Sequence, residues 1–314
     1  MRLRKTPGHG RDVRQSRLIG INRRDFIQVA AGTVAASLAV PAAHAGEIVE
    51  PDAPAIRTLG KCGVTVTLPG MGTGTKAWNH TSELVRRGHD AYLGLLRHAY
   101  GKGIRFFDMA DMYGTHPYMH EALKSFIPRD KAVLLTKTVA RDPQLVRDDL
   151  ERFRKELDTD MLDIVLLHCV TDPDWTEKLK PCMDVLAEAK AKGIIRAHGL
   201  SSHNLDVSQK AAEHPWVDIL MERINPFGKK MDAPPDRVVP VLRTAHENGK
   251  GVIGMKIACE GECKDNIAES IRFVLGLGCV DALSIGFLEP AEVDSAMTHI
   301  GAALATANAW PNQN

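Results

Sequence analysis

The sequence has few cysteines, no basic surplus in its main part and, after residue 45, no long apolar run. Its six cysteines are too sparse for a disulfide framework, and no second pair or nearby histidine completes a zinc site around Cys259 and Cys263. No later stretch reaches about 18 consecutive apolar residues, which argues against stable membrane insertion. We therefore expect a soluble mature chain without a metal site. Cys259 and Cys263 are expected to be structural thiols or to form one disulfide.

Charge is distributed unevenly along the chain. The whole sequence has 40 basic and 39 acidic side chains, but residues 1–45 contain eight of the basic and two of the acidic ones. The remaining 32 basic and 37 acidic side chains give the main part a charge of about −5. A nucleic-acid-binding domain carries a basic surface, so this class is set aside. The 44% hydrophobic and 25% charged content excludes disorder, collagen and a coiled-coil rod.

Residues 1–45 have the organisation of an export signal. The pair Arg23 and Arg24 precedes a mildly apolar stretch at 27–40, and Ala43-His44-Ala45 is a small-x-small cleavage pattern. This combination resembles a twin-arginine signal peptide, which implies the twin-arginine export machinery as a partner and a periplasmic or exported location. An uncleaved anchor or a disordered basic arm is the alternative, with a cytoplasmic location if the signal is not used.

Short apolar runs alternate with amphipathic segments in residues 57–314, which follow a linker at 46–56. Strands are predicted at 64–73, 105–110, 132–138, 163–169, 194–201, 218–224, 251–257 and 282–287. Helical patterns include 142–157, 181–192, 237–248 and 291–305. This alternation predicts a single-domain α/β fold, the (β/α)8 TIM barrel. A doubly wound sheet is the rival, but it normally shows G-x-G-x-x-G, and Gly70-Met71-Gly72-Thr73-Gly74 lacks that spacing.

The carboxyl ends of the predicted strands carry many polar side chains. In a (β/α)8 barrel these ends meet at one face, where active sites are built. The residues at or just after these ends are Gly72, Thr73, Asp108, Tyr113, Lys137, His168, Ser201, Ser202, Met255 and Lys256. The sequence therefore predicts a functional site at this face.

The order of these segments resembles the aldo-keto reductase family. Residues 57–66 resemble the opening hairpin of the family and 103–114 its second-strand signature, and Thr136-Lys137-Thr138, Leu166-Leu167-His168 and 193–201 follow in the family's order. The likeness extends from about residue 57 to about residue 305. It implies an NAD(P)(H)-dependent oxidoreductase that interconverts a small-molecule carbonyl compound (an aldehyde, ketone or sugar) and the corresponding alcohol.

Four side chains are the candidates for the catalytic chemistry. Carbonyl reduction by hydride requires a proton at the oxygen, and a phenol with a reference pKa of about 10 is a weak acid. An ammonium favours the phenolate and lowers that pKa, so Lys137, held by Asp108, would activate Tyr113. His168 would orient the carbonyl oxygen, and the resemblance assigns these roles to the same positions. Taken singly, each residue also has a structural explanation, such as a turn carboxylate or a core histidine.

The cofactor positions depart from the family pattern. The resemblance places cofactor contacts at Gly72, Thr73, Asp108, Ser201, Ser202, Met221, Met255, Lys256 and Gly286. Ser202 replaces the asparagine of the family and Met221 its glutamine, so two amide groups are missing. Met255 stands where many members have an aromatic ring, and its thioether can still pack on the nicotinamide. The family implies NADP, whereas Glu292 would repel a 2′-phosphate and favours NAD.

Three functions remain open from the sequence. The first is the exported reductase, and the second is a catalytically silent barrel that binds a nucleotide or metabolite in the cell envelope. The third is an enzyme with a tightly held cofactor, loaded before export and recycled by an external electron partner. The chain ends at Asn314, soon after the last predicted helix. We therefore expect an open pocket lined by Trp78, His116, Tyr118 and Trp175, in a monomer or loose dimer.

Overall fold

The computed structural model describes residues 54–308, so the predicted signal at 1–45 lies outside the described residues. The described chain opens with an antiparallel hairpin, β1 (Ile56–Thr58) and β2 (Thr65–Thr67). Eight parallel strands then close into a barrel: β3 (Pro69–Gly72), β4 (Phe106–Asp108), β5 (Val133–Thr138), β6 (Leu162–Val170), β7 (Ile195–Ser202), β8 (Ile219–Arg223), β9 (Gly251–Met255) and β10 (Ala282–Gly286). Neighbouring barrel strands follow each other in the chain, and β10 pairs with β3 to complete the ring. The (β/α)8 prediction is confirmed.

Helices connect the strands and surround the barrel. They are α1 (Glu83–Arg86), α2 (His89–Gly101), α3 (His116–Ser125), α4 (Pro143–Leu157), α5 (Trp175–Lys178), α6 (Lys180–Ala191), α7 (Leu205–Glu213), α8 (Pro235–Glu247), α9 (Ile267–Gly276) and α10 (Pro290–Asn308). The four helical patterns named from the sequence agree with α4, α6, α8 and α10. The start of α4 shows the local cause, because the Asp142 side chain accepts from the backbone N–H groups of residues 144 and 145 and Pro143 occupies the first turn.

The strands are buried on both faces, which explains their nearly continuous apolar runs. In β6, Ile164 and Leu166 belong to a cluster inside the barrel, whereas Val165 and Leu167 pack against the surrounding helices. Successive strand side chains point to opposite faces, so alternate residues of one run fill two different cores.

The predicted strand at 64–73 proves to be two strands. Its first part is β2, which pairs antiparallel with β1, and its second part is the barrel strand β3. The chain changes partners between Thr67 and Pro69, where proline has no N–H to continue the hairpin ladder and the Thr67 hydroxyl donates to the Pro69 carbonyl at 2.8 Å. Val66 and Leu59 of the hairpin join the inner core, so the hairpin closes the barrel at the amino ends of the strands.

None of the helices within residues 54–308 combines the length and the apolar character needed to cross a membrane.

Candidate active site

The four predicted catalytic side chains meet at the carboxyl end of the barrel. Asp108 is the last residue of β4, Lys137 is near the end of β5 and His168 is near the end of β6. Tyr113 lies in a short 3-10 turn after β4, which ends at Gly114 with a left-handed φ of 67°. A glycine adopts this conformation without steric cost, and it turns the chain into α3.

The Tyr113 hydroxyl lies between an ammonium and an imidazole. Lys137 Nζ is 3.4 Å from Tyr113 Oη and 2.8 Å from the carbonyl oxygen of Met109, and it forms an ion pair with Asp108 Oδ1. On the other side, His168 Nε2 is 3.3 Å from Tyr113 Oη. Lys137 is 1% exposed, so its positive charge depends on the Asp108 carboxylate rather than on water.

Burial is the main cause of the pKa shifts of His168, Lys137 and Tyr113. It lowers the pKa of His168 well below its ordinary value, and Lys137 lowers it further, so the imidazole is neutral at neutral pH. Burial also lowers the pKa of Lys137, against the opposing effect of Asp108. The pKa of Tyr113 is raised well above its usual value, first by burial and then by the Asp108 carboxylate. The prediction that this pKa is lowered is therefore wrong, because burial of the phenol and the charge of Asp108 both raise it. The phenol is protonated and can donate.

The walls of the site leave little freedom to the tyrosine. A Cβ atom built on Gly74, in the loop after β3, would lie 2.3 Å from two ring carbons of Tyr113. Only glycine allows this approach of backbone to ring without a shift. Arg152 of α4 also forms an ion pair at 2.7 Å with Asp111, which belongs to the same turn as the tyrosine.

A groove of about 800 Å³ opens beside Asp108 and Tyr113. Its walls come from the loop after β3, the loop after β9 and the segment that joins β10 to α10. Six of the nine predicted cofactor positions line it: Gly72, Asp108, Met221, Met255, Lys256 and Gly286. This volume is in the range of small-molecule and cofactor sites.

The other three predicted cofactor positions do not line the groove. Thr73 is buried, and its hydroxyl and its N–H both donate to the Asp108 carbonyl, at 2.9 and 3.0 Å. The Ser201 hydroxyl accepts from the N–H of Cys169 at 3.0 Å. Ser202 is fully buried, and its hydroxyl exchanges hydrogen bonds with the backbone of Asn204 at 2.8 and 3.1 Å. These side chains hold strand ends and loops in place.

The four side chains expected to line an open substrate pocket lie elsewhere, and none of them lines the groove. His116 is buried, with hydrogen bonds to Thr136 at 2.8 Å and Glu156 at 2.7 Å, and Trp175 is fully buried in the outer core. The prediction is wrong for these two residues. Tyr118 stacks on the buried Tyr92 ring, and Trp78 is 74% exposed in the loop after β3.

Charged side chains at the rim of the groove are largely paired. Lys256 Nζ is 2.6 Å from Glu260, and Arg87 is 3.1 Å from Glu289. Glu292 Oε2 accepts from the N–H of Leu288 at 2.6 Å, so part of its carboxylate stabilises the start of α10. Lys76 is also paired, with Glu83 at 3.1 Å, so among the basic side chains of the described residues that line the groove, Lys264 alone forms no ion pair and is left to meet a phosphate dianion.

A disulfide closes the loop after β9. Cys259 and Cys263 are joined, and Glu260, Gly261 and Glu262 between them line the groove. Of the two alternatives from the sequence, the structure contains the disulfide. Among residues 54–308 no group of His, Cys, Asp and Glu side chains is arranged to hold a metal ion.

One residue of the site was not identified from the sequence. Ser284 of β10 donates a hydrogen bond to Asp108 Oδ2 at 2.6 Å, and its only sequence signal is a polar residue within an apolar strand. Outside the site, Glu222 of β8 was also not identified: it is 1% exposed, its carboxylate accepts a hydrogen bond from Ser208 of α7, and burial raises its pKa to about 8. A carboxylate in an otherwise apolar strand was the signal available for it.

Comparison with known proteins agrees with this geometry. The sequence model of the Aldo/keto reductase family matches residues 70–272, which contain Tyr113 and the three side chains around it. The chain belongs to the aldo/keto reductase family.

Sequence identity to individual aldo/keto reductases is low. The chain is 27% identical over 188 residues to the Glycine max protein named "Probable aldo-keto reductase 1", covering 51% of this chain and 52% of that protein. It is 26% identical over 151 residues to methylglyoxal reductase DkgB of Salmonella typhi, covering 46% of this chain and 52% of that protein. The chain thus spans about half the length of these relatives. The holo form of aldo-keto reductase AKR11C1 from Bacillus halodurans superposes with a TM-score of 0.64 at 18% identity, covering 78% of this chain and 90% of that one, which supports the shared fold.

Proposed function

We propose that this protein interconverts a small carbonyl compound and its alcohol with a nicotinamide cofactor, and that Tyr113 is the general acid and base. The observation that carries the proposal is the position of Tyr113 Oη, 3.4 Å from Lys137 Nζ and 3.3 Å from His168 Nε2. A phenol placed between a buried ammonium and a neutral imidazole can deliver a proton to an oxygen that becomes negative.

Each of the four side chains around the Tyr113 hydroxyl has its own role in the reduction. When bound, a reduced nicotinamide supplies the hydride that becomes bonded to the carbonyl carbon. The carbonyl oxygen accepts hydrogen bonds from Tyr113 Oη and His168 Nε2, which polarise the carbonyl bond. Tyr113 transfers its proton to that oxygen, and the resulting phenolate is stabilised by Lys137. Asp108 keeps Lys137 charged although the ammonium is buried. Oxidation of the alcohol follows the same steps in reverse.

The position and the volume of the groove suit a dinucleotide. It begins at Tyr113 and Asp108, and Met255 offers a thioether to a ring face. Met221 and Ser202 supply no amide for the nicotinamide carboxamide, so the cofactor would be held mainly by packing and backbone contacts. We expect weaker binding than an amide-lined site would give.

We further propose that NAD(H) is preferred over NADP(H). Arg87 and Lys256 are paired with carboxylates, and Glu289 and Glu292 lie at the rim of the groove. A carboxylate repels the 2′-phosphate of NADP but accepts hydrogen bonds from the ribose hydroxyls of NAD. The family default is NADP, so a preference of this chain for NAD(H) follows from the carboxylates of Glu289 and Glu292 at the rim.

The test is hydride transfer by the full chain. Oxidation of NADH and of NADPH is followed separately against small aldehydes, ketones and sugars, including methylglyoxal because one relative carries that name. We expect turnover that Tyr113→Phe lowers by about 10²-fold or more, since a positioned acid contributes that much. Tyr118→Phe, which changes a tyrosine packed away from the groove, is the matched control and should retain activity. Equal loss in both variants would contradict the role of Tyr113.

A second candidate function is a catalytically silent barrel that binds a nucleotide or metabolite. The observation in its favour is the loss of polar cofactor contacts, because Met221 is apolar and the Ser202 hydroxyl is occupied by Asn204. Calorimetric titration with each nicotinamide nucleotide separates the two candidates. Binding without turnover on the whole panel would support the silent barrel, and Tyr113→Phe would then leave affinity unchanged.

The proposed location is outside the cytoplasm, reached through the twin-arginine-type signal at residues 1–45. The Cys259–Cys263 disulfide supports this, because disulfides persist mainly in oxidising compartments. Cell fractionation of the full chain and of an Arg23→Lys/Arg24→Lys variant tests the location. We expect the unchanged chain in the exported fraction and the variant in the cytoplasm, and the same distribution for both would refute the twin-arginine route.

A further inference from the structure

One polar side chain of the last barrel strand points into the site. In β10, Leu283 and Ile285 belong to the outer core, so Ala282 and Ser284 face the barrel interior. Ser284 is 6% exposed and lines the groove beside Asp108. Nothing in the chemistry described above uses its hydroxyl group.

Ser284 reaches Asp108 across an intervening strand. Its hydroxyl donates to Asp108 Oδ2 at 2.6 Å, although β3 lies between β10 and β4 in the barrel. The residue of β3 at this level is Gly72, paired with Asp108 on one side and with Gly286 on the other. A Cβ atom on Gly72 would lie 2.8 Å from Ser284 Oγ, so the missing side chain leaves the space through which the hydroxyl reaches the carboxylate.

The two oxygens of Asp108 have different partners. Oδ1 accepts from Lys137, and Oδ2 accepts from Ser284 on the opposite side. With one donor, the carboxylate could rotate about its Cβ–Cγ bond, whereas two donors on opposite sides hold its plane. A hydrogen bond to the charged form also favours that form. The orientation and the charge of Asp108 in turn decide whether the Lys137 ammonium is kept beside Tyr113.

We propose that Ser284 is a positioning residue: it holds the Asp108 carboxylate so that Lys137 remains charged and directed at the Tyr113 hydroxyl. The inference rests on the proposed function for its effect on turnover, but the effect on Lys137 is independent of turnover. Ser284 itself takes no part in proton transfer, since its hydrogen bond ends on a carboxylate that does not contact Tyr113 Oη directly.

The test compares Ser284→Ala with Ser270→Ala in the full chain. Ser270 in α9 is a fully buried serine whose hydroxyl makes no hydrogen bond to any of the described residues, so its removal deletes the same atom without a partner. For Ser284→Ala we expect kcat to fall about ten-fold with little change in KM, as for loss of a hydrogen bond to a charged group. The alkaline limb of the pH profile should move to lower pH, because Lys137 loses its proton more easily. Ser270→Ala should match the unchanged protein in both respects.

A second measurement does not require activity. The carbon-13 resonance of Lys137 Cε, assigned by its loss in Lys137→Arg, is followed against pH in the unchanged protein and in Ser284→Ala. We expect the titration midpoint of Lys137 to be lower in Ser284→Ala. The same midpoint in both proteins would overturn the inference, whatever the turnover. Absence of turnover in the unchanged protein, with a shifted midpoint, would refute the proposed function and leave the positioning role supported.

Discussion

The contact between Gly74 and Tyr113 gives the sharpest prediction for the site. The change is Gly74→Ala, which adds one methyl group in the loop after β3. The backbone of Gly74 has no positive φ, so alanine can adopt it without backbone strain. Any effect therefore comes from the contact of the new Cβ atom with the tyrosine ring.

The size of the effect follows from the distances. The new Cβ atom would lie 2.3 Å from Tyr113 Cε2 and Cζ, against about 3.5 Å or more for an ordinary carbon–carbon contact. The ring must therefore move by about 1 Å or more, and a misplacement of that size costs about 10²-fold in rate. Tyr113 Oη would then leave the positions 3.4 Å from Lys137 Nζ and 3.3 Å from His168 Nε2. We expect kcat/KM to fall by about 10²-fold, equivalent to about 3 kcal/mol in the activation barrier.

The assay is kcat/KM for carbonyl reduction, with thermal unfolding measured on the same samples. Gly94→Ala in the middle of α2 is the matched control, because a Cβ atom there meets nothing within 4 Å. It should leave kcat/KM unchanged and raise stability by up to about 1 kcal/mol, the difference in helix propensity between the two residues. If Gly74→Ala retained the kcat/KM of the unchanged protein, either the ring does not pack on Gly74 or Tyr113 is not the acid.

Three further predictions concern buried charge and the disulfide. Glu222 has a folded pKa of about 8, above its ordinary value of 4.5, so ionising it opposes folding. Glu222→Gln should therefore remove a loss of stability that develops from about pH 4.5 to about 8 and reaches on the order of 5 kcal/mol, measured by urea unfolding against pH. A pH dependence identical to that of the unchanged protein would contradict this. Asp108→Asn leaves the Lys137 charge buried without its partner and should cost about 3–5 kcal/mol in unfolding free energy, together with most activity; an unchanged melting temperature would count against the ion pair. Reduction of Cys259–Cys263 frees the loop along the groove and should weaken cofactor binding several-fold in calorimetric titration, whereas equal affinity before and after reduction would show that the loop does not contact the cofactor.

Much of the fold can be predicted from the sequence because its signals are local. A parallel strand covered on both faces needs an uninterrupted apolar run, and such runs locate seven barrel strands directly. The eighth is merged with the hairpin strand, since the change of partner near Pro69 depends on hydrogen bonds to distant strands. The positions of Asp108, Lys137 and His168 at strand ends follow from the same pattern, because parallel strands bring these ends to one face.

The surroundings of a side chain depend on residues far apart in the chain, so the sequence does not reveal which groups meet in the fold. Ser284 and Asp108 are 176 positions apart, and only closure of the barrel with glycine at position 72 brings them into contact. His116 is a polar aromatic residue in a loop-like sequence context, but it begins α3 and is buried against Thr136 of β5 and Glu156 of α4. The pKa of Tyr113 rises because the depth of burial outweighs a nearby ammonium, and depth is a property of the assembled barrel. The sequence by itself determines which chemical groups reach the carboxyl end of the barrel. The tertiary structure alone decides which of them are dry, paired and within hydrogen-bond distance, because desolvation and hydrogen bonding act through space and not along the chain.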